Sequence, residues 1–180
     1  MADLGLSAQI LYLASCLIWC SFSDLLGRRI PNRAVFIILL GWIAIRVWDI
    51  TINNAPLSII YKDLPGASIV FLVGFLLFLT GRLGAGDVKL MAVLCLWVGY
   101  GQQITFIMVT ALVGGVLAIA LPLLNILPTI ITTGINGINK KFKIKLALPP
   151  VLSPELAQGI PYGIAISAGA AYILILPYIS

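Results

Sequence analysis

The sequence contains no histidine among its 180 residues. This absence excludes catalysis by a Ser-His-Asp triad or a Cys-His pair, HExxH zinc chemistry and haem ligation through histidine. Any catalysis must come from Asp, Glu, Lys, Ser, Cys or Tyr side chains. The three cysteines, Cys16, Cys20 and Cys95, lie in apolar runs and form no CxxC pair. We interpret them as small packing residues, with no zinc site and no disulfide framework.

Charged residues are also scarce. They make up 9% of the chain, whereas a typical soluble domain has about 25%. Hydrophobic residues make up 61%, and the mean hydropathy is +1.12. So few charges cannot cover the surface of a soluble domain. The net charge is +5. The charged residues are too few, and too interleaved with apolar runs, to form a nucleic-acid binding surface. The composition therefore predicts an integral membrane protein.

Six apolar segments are candidates for membrane-spanning helices, which need about 20 residues each. They are Leu6–Phe22, Ala34–Trp48, Leu64–Thr80, Val88–Tyr100, Ile104–Leu124 and Ile160–Ile179. Six such helices use roughly 120 positions, so only loops remain between them. We therefore predict an all-α membrane protein, a polytopic bundle of about six transmembrane helices, with one domain over residues 1–180 and no separate soluble domain.

Most basic residues follow spans 1, 3 and 5 and so fall on one side of this bundle. They are Arg28, Arg29, Arg33, Arg82, Lys89, Lys140, Lys141, Lys143 and Lys145. The positive-inside rule places this side in the cytoplasm and both termini outside it. Residues 49–63 and 101–103 then become short outer loops.

The fourth span is unusually short. Asp87 to Tyr100 covers 14 residues, about 21 Å of helix, whereas the hydrocarbon core is about 30 Å thick. Either the bilayer thins there, or Asp87 begins the helix below the membrane surface. In the second case the stretch Gly81–Gly86 is non-helical backbone in a protein-lined recess.

Two aspartates, Asp24 and Asp87, lie at the cytoplasmic ends of predicted spans, whereas the other acidic residues fall in termini or loops. These others are Asp3, Asp49, Asp63 and Glu155. Structural roles are open to both aspartates. Asp87 could cap its helix by accepting backbone N–H bonds, and Asp24 could pair with Arg28 four residues on.

The functional alternative treats the two aspartates as a pair. Two converging carboxylates share one proton, so one member can draw a proton from water while the other hydrogen-bonds a substrate carbonyl. This is aspartic-protease chemistry, which needs neither histidine nor metal. Gly84 and Gly86 beside Asp87 would let an extended peptide approach the backbone closely.

Three motif blocks carry a resemblance to a known family. The first is Ser23-Asp24-Leu25, followed by Arg28-Arg29-Ile30-Pro31-Asn32; the second is Gly84-Ala85-Gly86-Asp87-Val88-Lys89-Leu90; the third is Pro161-Tyr162-Gly163-Ile164-Ala165. The second contains GxGD. In this order, and on a chain of this hydropathy, the blocks resemble those of the prepilin peptidases, which are GxGD-type membrane aspartic proteases.

The resemblance implies a function and a set of site residues. Asp24 and Asp87 match the catalytic pair. The other matching positions would shape the site or bind substrate; they are Ser23, Pro31, Asn32, Gly84, Gly86, Lys89, Pro161, Tyr162 and Gly163. The family cleaves the basic leader of type IV prepilins and pseudopilins at the cytoplasmic face of the bacterial inner membrane, typically after a glycine. The resemblance implies no cofactor and no metal.

The chain departs from the family in one respect. Long members carry an extra cytoplasmic region with zinc-binding cysteine pairs near the first aspartate, and they also N-methylate the new terminus. Here only about ten residues separate spans 1 and 2, with no cysteine pair. The chain is similar to the short peptidases of tight-adherence pilus systems and to some archaeal ones. We favour the tight-adherence type, without methyltransferase activity.

Other functions are compatible with parts of the sequence. A proton- or cation-coupled transporter could use the same aspartates, and Ser23 with Lys89 could form a Ser–Lys dyad. A non-enzymatic assembly factor could keep the fold alone. Small residues at every fourth position of span 6, namely Gly159, Gly163, Ser167 and Ala171, suit internal packing or a homo-oligomer face. Membrane lipid is the remaining expected partner.

Overall fold

The computed structural model describes residues 2–27, 29–121 and 162–178. Within these ranges the chain forms six α-helices and no strand. The helices are α1 (Ala2–Gly27), α2 (Asn32–Thr51), α3 (Ser58–Leu79), α4 (Ala85–Val98), α5 (Gln103–Leu121) and α6 (Tyr162–Leu174), followed by a 3₁₀ turn at Leu176–Tyr178. Four of them are long and apolar enough to cross a membrane: Ala8–Gly27 within α1, and α2, α3 and α5. The architecture is that of a helical membrane protein, as the composition predicted.

Two helices extend five or more residues beyond one end of their predicted spans. α1 continues to Gly27, past the predicted end at Phe22, so Asp24 lies inside the helix. α3 begins at Ser58, before the predicted Leu64, and the predicted outer loop 49–63 shrinks to residues 52–57. The predicted spans 1 and 3 stopped where the apolar residues stopped. Asp24 and Asp63 lie just beyond those limits, and each remains in its helix because its side chain has a partner inside the protein.

Several predicted positions lie outside the described residues. They are Arg28, Lys140, Lys141, Lys143, Lys145, Gly159, Pro161, the end of span 5 at residues 122–124 and the two ends of span 6. The contacts between residues divide the protein into two units. The first consists of Met1–Val113 and Pro161–Ser180, and the second of Gly114–Ile160. The first unit contains the candidate active site. Of the second, the described part is residues 114–121 of α5.

Large apolar side chains cover the outward faces of the helices. On α3, for example, Phe71, Leu72, Phe75 and Leu76 are all exposed. A soluble protein rarely shows contiguous apolar surface of this kind. A lipid environment would cover it without cost.

The short helix α4 is the centre of the first unit. It packs against α2, α3 and α6, and Leu90, Leu94 and Cys95 on it are fully buried. Because protein surrounds α4 on several sides, it has no need to match the bilayer thickness by itself. Cys16 and Cys20 are buried on α1 as well, and all three cysteines belong to the hydrophobic core, as expected of packing residues.

Aromatic side chains fix α4 to α2 by hydrogen bonds to backbone carbonyls. The indole N–H of Trp42 donates to the carbonyl of Leu96, and that of Trp97 donates to the carbonyl of Ile38, each at 2.9 Å. The hydroxyl of Tyr12 on α1 donates to the carbonyl of Ile37 at 2.6 Å. These donors are thereby satisfied away from water, as buried Trp and Tyr side chains usually are.

A polar network holds one end of the unit together. Asp63 on α3 is 3% exposed. It accepts a hydrogen bond from Nη2 of Arg46 at 3.0 Å and one from the backbone N–H of Tyr100 at 2.7 Å. Gln103 at the start of α5 donates to the carbonyl oxygens of Asp63 and Cys95. The prediction that Asp63 lies in a loop was therefore wrong, because an aspartate paired in this way is stable inside a helix.

Candidate active site

Asp24 lies in the last turn of α1 and is 5% exposed. Its Oδ2 accepts a hydrogen bond of 2.7 Å from the backbone N–H of Gly163. Gly163 is the second residue of α6. The first N–H groups of a helix have no partner within it, so this donor is available to a carboxylate. The positive end of the α6 dipole also favours a negative charge at this place.

Residue 163 must be glycine for this contact to form. A Cβ atom there would lie 2.8 Å from Oδ2, 2.9 Å from Cβ and 3.0 Å from Cγ of Asp24. The missing side chain of Gly163 thus allows α6 to begin directly against the Asp24 carboxyl group. Tyr162, just before it, is half-buried.

Asp87 is the third residue of α4 and is half-buried. Its carboxyl group lies beside the backbone of Gly84, the residue before the helix, and a Cβ on Gly84 would lie 2.7 Å from its Oδ2. This is the arrangement in which the third residue of a helix reaches back to the capping position. The carboxyl group also has a second neighbour.

That neighbour is the other predicted catalytic residue. The carboxyl groups of Asp24 and Asp87 are close enough to interact electrostatically. They are 63 positions apart in the chain and come from opposite ends of their helices, the C-terminal end of α1 and the N-terminal end of α4. The structure thus brings together two carboxyl groups whose meeting the sequence could not show. We call this end of the unit the aspartate end.

Close backbone contacts bring these helix ends together. A Cβ on Gly86 would lie 3.0 Å from Cβ and 3.3 Å from the carbonyl oxygen of Ile30, so glycine lets the α1–α2 connection pack on the start of α4. A Cβ on Gly74 of α3 would lie 2.9 Å from Cγ1 of Val88. The sequence analysis assigned Ile30 no role beyond its place in the first motif block. For Gly74 the available signal was a glycine inside an otherwise apolar run.

Ser23, Asn32 and Lys89 form hydrogen bonds of their own. Nζ of Lys89 donates to Oδ1 of Asn32 at 3.1 Å, which ties α4 to the first residue of α2. The hydroxyl of Ser23 donates to the carbonyl of Arg29 at 3.0 Å. Pro31 lies immediately before α2, and its carbonyl oxygen accepts the first backbone bonds of that helix. Ser23 and Lys89 thus have partners other than each other, which gives no support to a Ser–Lys dyad.

Two expected features cannot be placed. Arg28, the expected structural partner of Asp24, and Pro161, part of the third motif block, lie outside the described residues. In the described ranges, no three His, Cys, Asp or Glu side chains form a group that could hold a metal ion.

A comparison with protein families identifies the family of this chain. The model of the type IV leader peptidase family matches residues 11–119, more than half of the chain, and this range includes Asp24 and Asp87. The chain belongs to the type IV leader peptidase family. No curated protein and no solved structure matches it. Membership of a leader peptidase family identifies a peptidase that processes type IV prepilins, and it gives the transporter alternative no support.

Within this leader peptidase, the matched range covers the first two motif blocks. The third block, with Gly163, lies beyond it. The hydrogen bond between Gly163 and Asp24 nevertheless attaches that block to the same place in the fold.

Proposed function

We propose that this leader peptidase is an aspartic endopeptidase whose catalytic residues are Asp24 and Asp87. Its substrates are type IV prepilins or pseudopilins, and its chemistry needs no metal and no cofactor. The observation that carries the proposal is that two carboxyl groups from separate helices lie near enough to interact electrostatically. Two carboxyl groups that interact in this way share a proton.

The pair supplies both groups that peptide hydrolysis requires. The ionised carboxylate draws a proton from a water molecule as that water attacks the scissile carbonyl carbon. The protonated carboxyl donates a hydrogen bond to the carbonyl oxygen, where negative charge develops. The amine then leaves with a proton taken from the pair, and no covalent intermediate with the enzyme forms.

The surroundings of the two residues suggest which one is ionised. Asp24 accepts the backbone N–H of Gly163 and faces the N-terminal end of α6, and both interactions stabilise a carboxylate. We therefore assign the base to Asp24 and the shared proton mainly to Asp87.

Basic residues support a cytoplasmic position of the site in the bacterial inner membrane. Arg29, Arg33, Arg82 and Lys89 belong to the segments that meet at the aspartate end, between α1 and α2 and around the start of α4. Gln9 and Tyr178, near the two ends of the chain, line one cavity together with Arg46, away from the aspartate end. By the positive-inside rule the aspartate end faces the cytoplasm, and both termini lie outside it.

The short connection between α1 and α2 supports a peptidase without methyltransferase activity, of the tight-adherence type. α1 ends at Gly27 and α2 begins at Asn32, so the connection between them is four residues long and contains no cysteine-bearing insertion. Incubation of enzyme and prepilin with labelled S-adenosylmethionine tests the point. We expect cleaved pilin without label; label on the new N-terminus would contradict this part of the proposal.

The proposed function is tested by co-expression with a prepilin, read as a leader-sized shift in mobility. We expect wild type to cleave, and Asp24→Asn and Asp87→Asn each to lose at least about 100-fold in cleavage rate while remaining in the membrane. Asp49→Asn is the matched control, since Asp49 lies at the other end of α2 beside Arg46. Cleavage by both site variants at the control's rate would refute an aspartic mechanism.

A further inference from the structure

An apolar groove of about 500 Å³ lies between α1 and α6. We call it the α1–α6 groove. Large apolar side chains of α1 form one wall, including Leu17, Ile18 and Phe22, and residues of α6 form the other, including Ile164 and Ala171. Ile18 and Phe22 are largely exposed at its rim, so the groove opens toward the lipid.

The groove is continuous with the aspartate end. Its lining includes Leu25 and Ile164, the chain neighbours of Asp24 and Gly163. Along α1 it runs from Ala14 to Leu25, which is about 16 Å of helix. The hydrogen bond between Gly163 and Asp24 therefore lies at one end of the groove.

A buried hydroxyl in the groove lacks a partner. Ser167 of α6 is 5% exposed and lines the groove. Its Oγ has no hydrogen-bond partner among the described residues. A hydroxyl in an apolar environment loses free energy when it makes no hydrogen bond, and Ser hydroxyls bond across helix–helix contacts in membranes. The small residues beside it, Ala168 and Ala171, allow another backbone to come close.

We propose that the α1–α6 groove binds an apolar helix of the substrate, formed by the segment that follows the scissile bond, since the leader before that bond is basic. This inference rests on the proposed function. A substrate cut at Asp24 continues from that point, and the groove offers an apolar path into the bilayer from the same place. Ser167 then donates its hydrogen bond to the bound helix. The groove positions the scissile bond at the dyad, so its residues act on substrate binding rather than on the chemical step.

Photo-crosslinking tests the position of the substrate. Benzoylphenylalanine is placed at residue 18 in the groove or, as a control, at residue 72 on α3; the native side chains there are 68% and 60% exposed. Both enzymes also carry Asp87→Asn, so that bound prepilin stays intact. We expect a conjugate with prepilin from position 18 and none from position 72. Conjugates of position 18 with lipid alone, or with a second copy of the enzyme, would overturn the proposal.

Filling the groove tests its role in catalysis. Ala168→Leu adds three carbon atoms inside it, and Ala111→Leu makes the same change on the exposed face of α5. We expect Ala168→Leu to raise KM for membrane-embedded prepilin about tenfold, which corresponds to about 1.4 kcal/mol, with kcat nearly unchanged. The control should leave both constants unchanged. A wild-type KM in Ala168→Leu would overturn the proposal.

Ser167→Ala separates binding from stability. A hydroxyl that is merely buried and unpaired destabilises the free enzyme, so its removal should not weaken binding. A hydroxyl that bonds the substrate helix should, when removed, raise KM about threefold, with an unchanged or higher unfolding temperature. An unchanged KM would count against the role of Ser167.

The outcomes distinguish a failure of the groove proposal from a failure of the proposed function. Absence of cleavage by wild type contradicts the proposed function, whatever the crosslinks show. Cleavage by wild type, without a prepilin conjugate at position 18 and with a normal KM in Ala168→Leu, overturns the groove alone.

Discussion

The backbone N–H of Gly163 donates a hydrogen bond of 2.7 Å to Oδ2 of Asp24, across 139 positions of the chain. This contact joins the first turn of α6 to the last turn of α1. It satisfies one free donor of a helix N-terminus, and it gives a buried carboxylate a charge-stabilising partner. The orientation of Asp24 relative to Asp87 thus depends on a residue with no side chain.

Gly163→Ala should therefore reduce activity by displacing Asp24. The added Cβ would contact three atoms of that side chain at 3.0 Å or less, and a displacement of about 1 Å in a catalytic group can cost on the order of 100-fold in rate. The measurement is kcat for prepilin cleavage by purified enzyme. Gly115→Ala on α5 is the control, because nothing lies within 4 Å of its added Cβ. Equal activity of the two variants would show that the contact does not orient Asp24.

Gly84→Ala should separate activity from stability. Gly84 has φ −76° and ψ 143°, a conformation open to alanine, but its Cβ would lie 2.7 Å from Oδ2 of Asp87. That carboxylate can rotate away without disturbing the fold, so we expect kcat to fall about tenfold or more with an unchanged unfolding temperature. Thermal unfolding in detergent and cleavage kinetics check both parts. A fall in unfolding temperature that matches the loss of activity would contradict the separation.

The rate of cleavage should pass through a maximum as pH rises. In acid, Asp24 gains a proton and can no longer accept one from water. At higher pH, Asp87 loses the shared proton and can no longer donate to the substrate carbonyl. Initial rates in proteoliposomes across the pH range give the profile. A rate independent of pH would contradict general acid–base catalysis by the pair, and loss of activity in EDTA that added metal restores would contradict metal-free chemistry.

Asp63→Ala should destabilise the protein while leaving the chemistry of the folded enzyme intact. It removes the partner of Arg46 at 3.0 Å and the acceptor of the Tyr100 N–H. Breaking a buried pair from one side costs about 3–5 kcal/mol. Denaturant unfolding measures that loss, and active-site titration gives kcat per folded molecule. Asp49→Asn should change stability much less, because Asp49 lies 3.8 Å from Arg46 and is more exposed. A large fall in kcat per folded molecule would show that this distant network acts on the site.

The sequence predicted the helical membrane architecture because apolar runs of helix length have few other structures available in a bilayer. It also selected the two aspartates for their positions at the ends of apolar spans, and the structure brings their carboxyl groups near enough to interact. It placed Asp63 wrongly for a related reason. A single charged residue at the edge of an apolar run is typical of a loop. Asp63 is helical because its partner, Arg46, lies on another helix, which the sequence does not show.

The geometry of the site could not be predicted from local sequence patterns. Motif resemblance selected Gly163, but its role as the donor to Asp24 depends on how α6 packs on α1. In the same way, the close approach of Ile30 to Gly86 depends on how the α1–α2 connection packs on α4. Contacts between distant segments leave little periodic signal in the chain.

The most direct test of the central claim uses purified enzyme and purified prepilin in proteoliposomes, with mass spectrometry of the released leader and of the new N-terminus. We predict one cleavage site with wild type, and neither product with Asp24→Asn or Asp87→Asn under the same conditions, although both variants remain folded. If both folded variants release the same leader at the wild-type rate, the two aspartates are structural, and the aspartic mechanism is wrong.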